Sequence, residues 1–266
     1  MPAPRIAKQV GRRAFGLDPA NYHSSRPDYP EWVYQTLHSR CGLGHGAVTF
    51  EVGAGTGTAT RRLLDLGADP LIAVEPDARL ADFLRTNNPD RALKVLVSAF
   101  EDVELEESAF DLGVSATAFH WLEEDAALRM IARLLHPGGW WAAFWNVYGD
   151  DSRPDPFHEA TKKLLEGPCS PSAGEHGIPF GLDAKARSAA LKRTGAFDIV
   201  DVRTSPWSLV LNVDQTMALY GTYSNINVRP DRDALLAEMG RIARDEFGGR
   251  VIRNMTTSLY IARRAG

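Results

Sequence analysis

Cysteine is scarce in this chain: Cys41 and Cys169 are the only two in 266 residues. Two thiols cannot build a disulfide framework, and neither has the paired spacing of a metal site, so both read as structural thiols of a reducing, cytoplasmic compartment. A basic excess is missing as well. Thirty Lys and Arg against 34 Asp and Glu leave a net charge of −4, which argues against a nucleic-acid polyanion as main partner. No apolar run approaches the roughly 18 residues that cross a bilayer, so no membrane partner is expected. The stretch Met1–Arg13 carries Arg5, Lys8, Arg12 and Arg13 without the apolar centre of a signal peptide, and residues 1–30 read as an arm or lid. No repeat or low-complexity tract appears. A composition 44% hydrophobic and 24% charged is that of an ordinary soluble protein, long enough to bury one large core.

The richest segment runs from Val48 to Thr58. An apolar strand (Val48–Val52) carries the acid Glu51 and leads into Gly53, Ala54, Gly55, Thr56 and Gly57, after which a helix can begin. Glycines let the backbone press against a ligand, and a helix start offers free N–H groups. A second apolar run, Leu71–Val74, ends in Glu75, about twenty residues past the glycines, where α/β nucleotide folds place an acid for a ribose diol. This ordered set describes a pocket for an adenosine-type cofactor.

Strand and helix signals alternate from about residue 30 to 146, with strands at Val48–Val52, Leu71–Val74, Leu93–Val97, Leu112–Ser115 and Trp140–Trp145. Helices are predicted at Ala59–Leu66, Arg79–Thr86 and Ala126–Leu135, the last stopped by His136-Pro137-Gly138-Gly139. Such alternation implies a parallel sheet with helices on both faces. Residues 149–183 turn rich in Pro, Gly, Asp and Ser, with one helical stretch near Phe157–Leu165. Phe197–Val202 and Ser258–Ala262 add two strands, and Asp233–Phe247 is an amphipathic helix. The expectation is a doubly wound, Rossmann-like, mostly parallel seven-stranded α/β sheet. One domain would span 31–266, with insertions near 149–190 and 212–248 covering the substrate.

These residues resemble a class I S-adenosylmethionine-dependent methyltransferase. Glu51, Gly53, Gly55 and Gly57 stand for its Glu-x-Gly-x-Gly-x-Gly-like loop, with Ala59 where a further glycine is usual, and Glu75-Pro76 for its ribose acid. Ser98-Ala99-Phe100-Glu101-Asp102 is similar to its adenine loop, with Ala99 where Asp is common. Phe15, Tyr22, Arg26-Pro27-x-Tyr29-Pro30, Phe119-His120-Trp121, Trp145-Asn146 and the tail from Arg250 to Arg264 resemble the trans-aconitate and ubiquinone-biosynthesis-like group. The resemblance implies S-adenosylmethionine as cofactor and S-adenosylhomocysteine as product. It implies a small-molecule acceptor, no metal, and a monomer or homodimer. It places the cofactor against Tyr22, Arg26, Glu51, Gly53, Ala54, Gly55, Gly57, Glu75, Pro76, Ala99, Phe100, Glu101, Ser115 and Ala116.

Methyl transfer is an in-line displacement, so orientation supplies much of the rate. Glu75 has the lone pairs to take both ribose hydroxyls, and Glu51 the charge to meet the ammonium or sulfonium. Tyr22 and Arg26 either close over the cofactor or stand in solvent. His120 is the one candidate general base, with a packed, hydrogen-bonded histidine as the alternative. Trp140, Trp141, Phe144 and Trp145 read mainly as core. Trp121, Trp145, Asn146 and Tyr148 are substrate-wall candidates, and Tyr220, Tyr223, Ser224 and Asn225 either line the acceptor pocket or pack the lid. Arg253 meets an anionic acceptor or lies at the surface. Asp150, Asp151 and Asp155 read as a solvated acidic loop rather than a metal site.

Oxygen methylation, at a carboxylate among others, is the first expectation. A nicotinamide-dependent oxidoreductase is the alternative, although Gly57 falls one residue early for Gly-x-Gly-x-x-Gly. Ser115-Ala116-Thr117-Ala118 stands where amino-methylating nucleic-acid enzymes carry Asn-Pro-Pro-Tyr. A methyltransferase fold with a different activity stays open.

Overall fold

A computed structural model of the chain describes residues 4–150, 152–175 and 177–266. Five strands run parallel: β1 (Ala47–Val52), β2 (Ala68–Glu75), β3 (Leu93–Val97), β4 (Phe110–Ala116) and β5 (Leu135–Tyr148). The two late strands, β6 (Phe197–Asn212) and β7 (Arg250–Arg264), complete a seven-stranded sheet of order β3-β2-β1-β4-β5-β7-β6. β7 is antiparallel to both neighbours. The expected architecture is therefore present.

The N-terminal helices are α1 (Lys8–Ala14), α2 (Pro19–Ser25) and α3 (Glu31–Arg40). Crossover helices α4 (Thr58–Asp65), α5 (Ala78–Asn87) and α6 (Glu124–Leu134) join the parallel strands. Beyond β5 come α7 (Pro156–Thr161), α8 (Ala184–Arg193), α9 (Val213–Tyr220), α10 (Ser224–Asn227) and α11 (Arg232–Asp245).

Period-two alternation splits the strand side chains between two cores. On β5, Trp141, Ala143 and Trp145 join Leu128 and Ile131 of α6 and Leu191 of α8. Ala142 and Phe144 face the other way, toward Tyr34 and Leu37 of α3 and Leu63 of α4. A third core lies above the strand ends, where Phe157, Leu219, Tyr220, Tyr223, Met239, Ile242 and Val251 unite the two insertions.

Several boundaries differ from expectation. β5 starts at Leu135, because the helix ends at Leu134 and a bulge opposite Asp111 absorbs His136 to Gly139 within the strand. The helix expected near Phe157–Leu165 stops at Thr161. β6 and β7 are sixteen and fifteen residues long, far beyond the predicted segments. Their outer halves alternate as strands should, but Arg253 occupies a buried position and disguises the apolar pattern. Helices α1 to α3, α8 and α9 fall outside the helical patterns read from sequence; α8 buries only Ala190 and Leu191. Asn212 and Gln215 form a capping box at α9. Among the described residues no helix is long and apolar enough to cross a membrane.

Candidate functional site

From β1 the chain winds outward through α4 and α5 to β3, then returns to pair β4 with β1. At such a reversal the loops above the strand ends part, and a crevice opens between them. The β1 loop forms one lip. Gly53, Gly55 and Gly57 have φ of +71°, +58° and +91°, a region that side chains strain to reach. A Cβ on Gly53 would collide with the Ala118 methyl of the β4 loop, so glycine is what lets the two lips meet. Gly57 caps α4 and lines neither chamber described below.

Two connected chambers occupy the crevice. The first, of about 640 Å³, is lined by Phe15, Tyr22, Gly53, Gly55, Glu75, Pro76, Leu80, Phe100, Ala116 and Trp121, with Arg12 at its side. Its acid is held by backbone: Gly55 N–H donates to Glu75 Oε2 at 2.8 Å and Asp77 N–H to Oε1 at 2.9 Å. Burial lifts the Glu75 carboxyl to about 7 against the pull of those two donors. Arg12 bridges the arm to the sheet through Glu101, at 2.6 Å, and the Trp121 carbonyl, at 2.7 Å.

The second chamber, about 650 Å³, is lined by Tyr22, Arg26, Tyr29, Glu51, Ala54, Asn146, Tyr148, Tyr223 and Met255. Glu51 accepts from the Thr60 hydroxyl at 2.6 Å through Oε2, while its buried Oε1 has no partner among the described residues. Burial raises this carboxyl to about 8, opposed by the Thr60 bond. Arg26 lies between the rings of Tyr22 and Tyr223, at 5.1 and 4.7 Å, and its Nη2 donates to the Thr222 carbonyl. Its buried Nε has no partner among the described residues. An unpartnered carboxyl oxygen and an unpartnered guanidinium N–H thus line one chamber, an unstable arrangement unless a ligand satisfies them.

Not every residue singled out from sequence reaches the crevice. Ala99 and Glu101 line an outer groove with Arg13 and Asp102. Ser115 is buried, its hydroxyl donating to the Val52 carbonyl. Trp145 is buried too, and its indole N–H donates to His120 Nδ1 at 3.1 Å. His120 lines neither chamber, and burial, aided by the Arg26 charge, drops its pKa to about 3. This geometry is that of the packed, hydrogen-bonded alternative rather than of a base exposed to an acceptor. The Asn146 amide is committed, donating to the Pro27 and Asp28 carbonyls and accepting from Thr257. Ser224 is buried beneath the lid.

Arg253 is neither at the surface nor in the crevice. It is fully buried, with Nε on Asp155 at 2.5 Å, a bond to the Tyr220 hydroxyl, and the Tyr148 ring beside it at 5.5 Å. Asp155 also accepts from the first N–H groups of α7, and Asp150 takes Ser152 and Thr256, so both acids are used internally. Asp151 lies outside the described residues. Sequence reading assigned no role to Arg12, Leu80, Thr117 or Met255 as lining. Tyr29 and Phe15 were visible within the N-terminal motif, whereas nothing in the sequence singles out Thr117.

Residues 50–143, from β1 to the middle of β5, match a family profile described as a methyltransferase domain. An uncharacterized methyltransferase of Schizosaccharomyces pombe is 32% identical over 154 residues, 58% of this chain and 59% of that protein. The match thus spans less than two thirds of the yeast relative. A second S. pombe protein, an uncharacterized methyltransferase-like one, is 26% identical over 241 residues, 90% of this chain and 89% of its own length. Among solved structures, Haemonchus contortus phosphoethanolamine N-methyltransferase 2, in complex with phosphomonomethylethanolamine and S-adenosylhomocysteine, is similar with a TM-score of 0.58. At 14% identity, over 96% of this chain and 60% of that one, the likeness is one of fold. The likeness to methyltransferases thus lies in residues 50–143 in sequence and in the Rossmann-like α/β architecture in fold.

Proposed function

We propose that the protein transfers a methyl group from S-adenosylmethionine to a small organic acceptor, with an oxygen nucleophile first among the candidates. One observation carries this reading. A diol-type acid, Glu75, lies in one chamber, and an unpartnered carboxylate oxygen and guanidinium N–H, on Glu51 and Arg26, lie in the next. An adenosyl amino acid has the matching parts in the matching order: a ribose diol, an ammonium and a carboxylate.

The donor set fits that molecule. Glu75 keeps lone pairs beyond those facing Gly55 and Asp77 for ribose hydroxyls, and Phe100, Leu80 and Trp121 offer an apolar slot for a purine. Glu51 would hold the ammonium and Arg26 the carboxylate, each gaining the partner it lacks. The bound cofactor supplies a sulfonium methyl already activated for displacement. The protein's part is to exclude water and hold the acceptor in line, with Tyr148, Tyr223 and Met255 as walls. Acceptors that arrive ionised, such as carboxylates, suit a chamber to which His120 contributes no base.

Calorimetric titration of the purified protein with S-adenosylhomocysteine, and separately with NADH, tests the reading. Heat with the first and none with the second is the expected outcome; the reverse would establish nicotinamide chemistry instead. Binding without label transfer from methyl-labelled cofactor to any acceptor in a broad panel would point to the fold serving another reaction.

A further inference from the structure

Thr117, the first residue past β4, has φ of +55°. Glycine or asparagine takes this left-handed conformation at little cost, whereas a β-branched side chain crowds its own backbone there. Such strain persists only where surrounding structure enforces it, and it gathers at functional sites. Here the enforcement is visible. Thr117 N–H donates to the Phe144 carbonyl at 2.8 Å, and the next residue, Ala118, is wedged against Gly53.

The contorted backbone aims a hydroxyl. Thr117 Oγ1 lies 2.7 Å from the Tyr29 hydroxyl, and Tyr29 stands edge-on against the buried Phe144 ring at 4.7 Å. Thr117 lines both chambers, while Tyr29 lines only the second. The boundary between an adenosine-shaped space and an aromatic-walled space is where a methyl leaves a sulfonium for an acceptor. A bonded hydroxyl pair spends one proton between its oxygens and keeps another proton and several lone pairs for a ligand. Burial raises the Tyr29 phenol above its ordinary range, so the pair is polar and uncharged at neutral pH.

We infer that Thr117 Oγ1 faces the transferring methyl and that Tyr29 is the positioning residue that turns it there; this rests on the cofactor reading proposed above. An oxygen beside a methyl polarised by sulfonium makes weak C–H···O contacts. Each is small, but it acts on direction, and direction governs an in-line displacement. No bond is made or broken by either residue.

Sinefungin carries an amine-bearing carbon where the cofactor has sulfur and methyl; S-adenosylhomocysteine has nothing at that place. Calorimetric affinities for both compounds, in wild type, Thr117→Val, Thr117→Ser and Tyr29→Phe, therefore isolate the contact. Thr117→Val is expected to weaken sinefungin about tenfold relative to S-adenosylhomocysteine, the loss of one hydrogen bond to a charged group. Tyr29→Phe should shift the same ratio in the same direction by less, and Thr117→Ser should restore the wild-type ratio. Equal changes for both ligands, or none, would make the pair a structural tie and overturn the inference. If Thr117→Val does not fold, Tyr29→Phe decides. Failure of wild type to bind either compound would overturn the cofactor reading itself, a result distinct from an unchanged ratio.

Discussion

The two walls of the crevice are built in different ways. The strand-end wall is local: Glu75 is twenty residues from the Gly55 amide it accepts from, and both belong to one β–α–β unit. The opposite wall is assembled from distant pieces. Arg26 reaches Thr222 across 196 residues, Asn21 reaches Ala218 across 197, and Arg253 reaches Asp155 across 98. The first wall rests on backbone geometry and two acids, so any chain with that unit can build it. The second rests on side chains meeting in space, and it is free to differ between relatives that share the first.

If the walls are separable, damage to one should spare the other. The largest effect is expected at Arg253→Leu, which strips Asp155 of its buried partner and should cost about 3–5 kcal/mol of stability in a denaturant titration. Affinity for S-adenosylhomocysteine should stay within about threefold, below 1 kcal/mol; its disappearance in a folded variant would show that the walls act as one. Glu75→Ala is the complementary insult. It should weaken that ligand by about 1–3 kcal/mol by calorimetry, and an unchanged affinity would remove Glu75 from the ribose role.

The acids also predict a pH dependence. In the folded protein the Glu51 and Glu75 carboxyls lie at about 8 and 7, above the ordinary carboxylate range, so the folded state holds protons that the unfolded chain has lost. Stability from these groups is complete below about pH 4.5 and is lost as pH rises toward 8. His120 acts oppositely, but its contribution changes only between about 6.5 and 3. Between pH 6.5 and 8 these two carboxyls operate together with Glu124, which burial also lifts to about 7, and the ligand-free protein should lose about 2–3 kcal/mol, read from urea midpoints. Over the same interval affinity for S-adenosylhomocysteine should rise, since an ammonium favours ionised Glu51. Glu51→Gln should flatten both curves. The smallest effect belongs to Arg12→Ala. The Arg12–Glu101 pair is partly exposed, so about 0.5 kcal/mol of ligand affinity is at stake, and high salt should erase the difference.

What was legible in the sequence follows the same division. Glycines before a helix and an acid closing the next strand announce themselves because local geometry demands those residue types. Five parallel strands, the glycine loop and Glu75 were all readable for that reason. The lid wall was legible where it reused a motif, as at Tyr22, Arg26 and Tyr29, and where an aromatic followed a strand end or sat in the late insertion, as at Tyr148 and Tyr223. Tyr148 and Tyr223 stack at 4.6 Å, but no spacing connects residues that far apart. Thr117 was hidden because its oddity is in φ rather than in composition. His120 kept two readings for a related reason: a histidine beside a strand end suggests chemistry, and only tertiary packing shows its ring accepting from the Trp145 indole. Arg253 belonged to a core that hydropathy cannot reveal, since its charge is cancelled by Asp155.

β7 enters the sheet between β5 and β6 and continues past the end of β5, with Met255 paired to Tyr148 and Arg250 to Asn212. The same continuous strand therefore belongs to the main sheet at one end and to the roof at the other. Roof and floor are thus joined by continuous backbone, whereas the N-terminal helices on the other side of the crevice are tied across it by side chains, Lys8, Arg12, Asn21 and Arg26 among them.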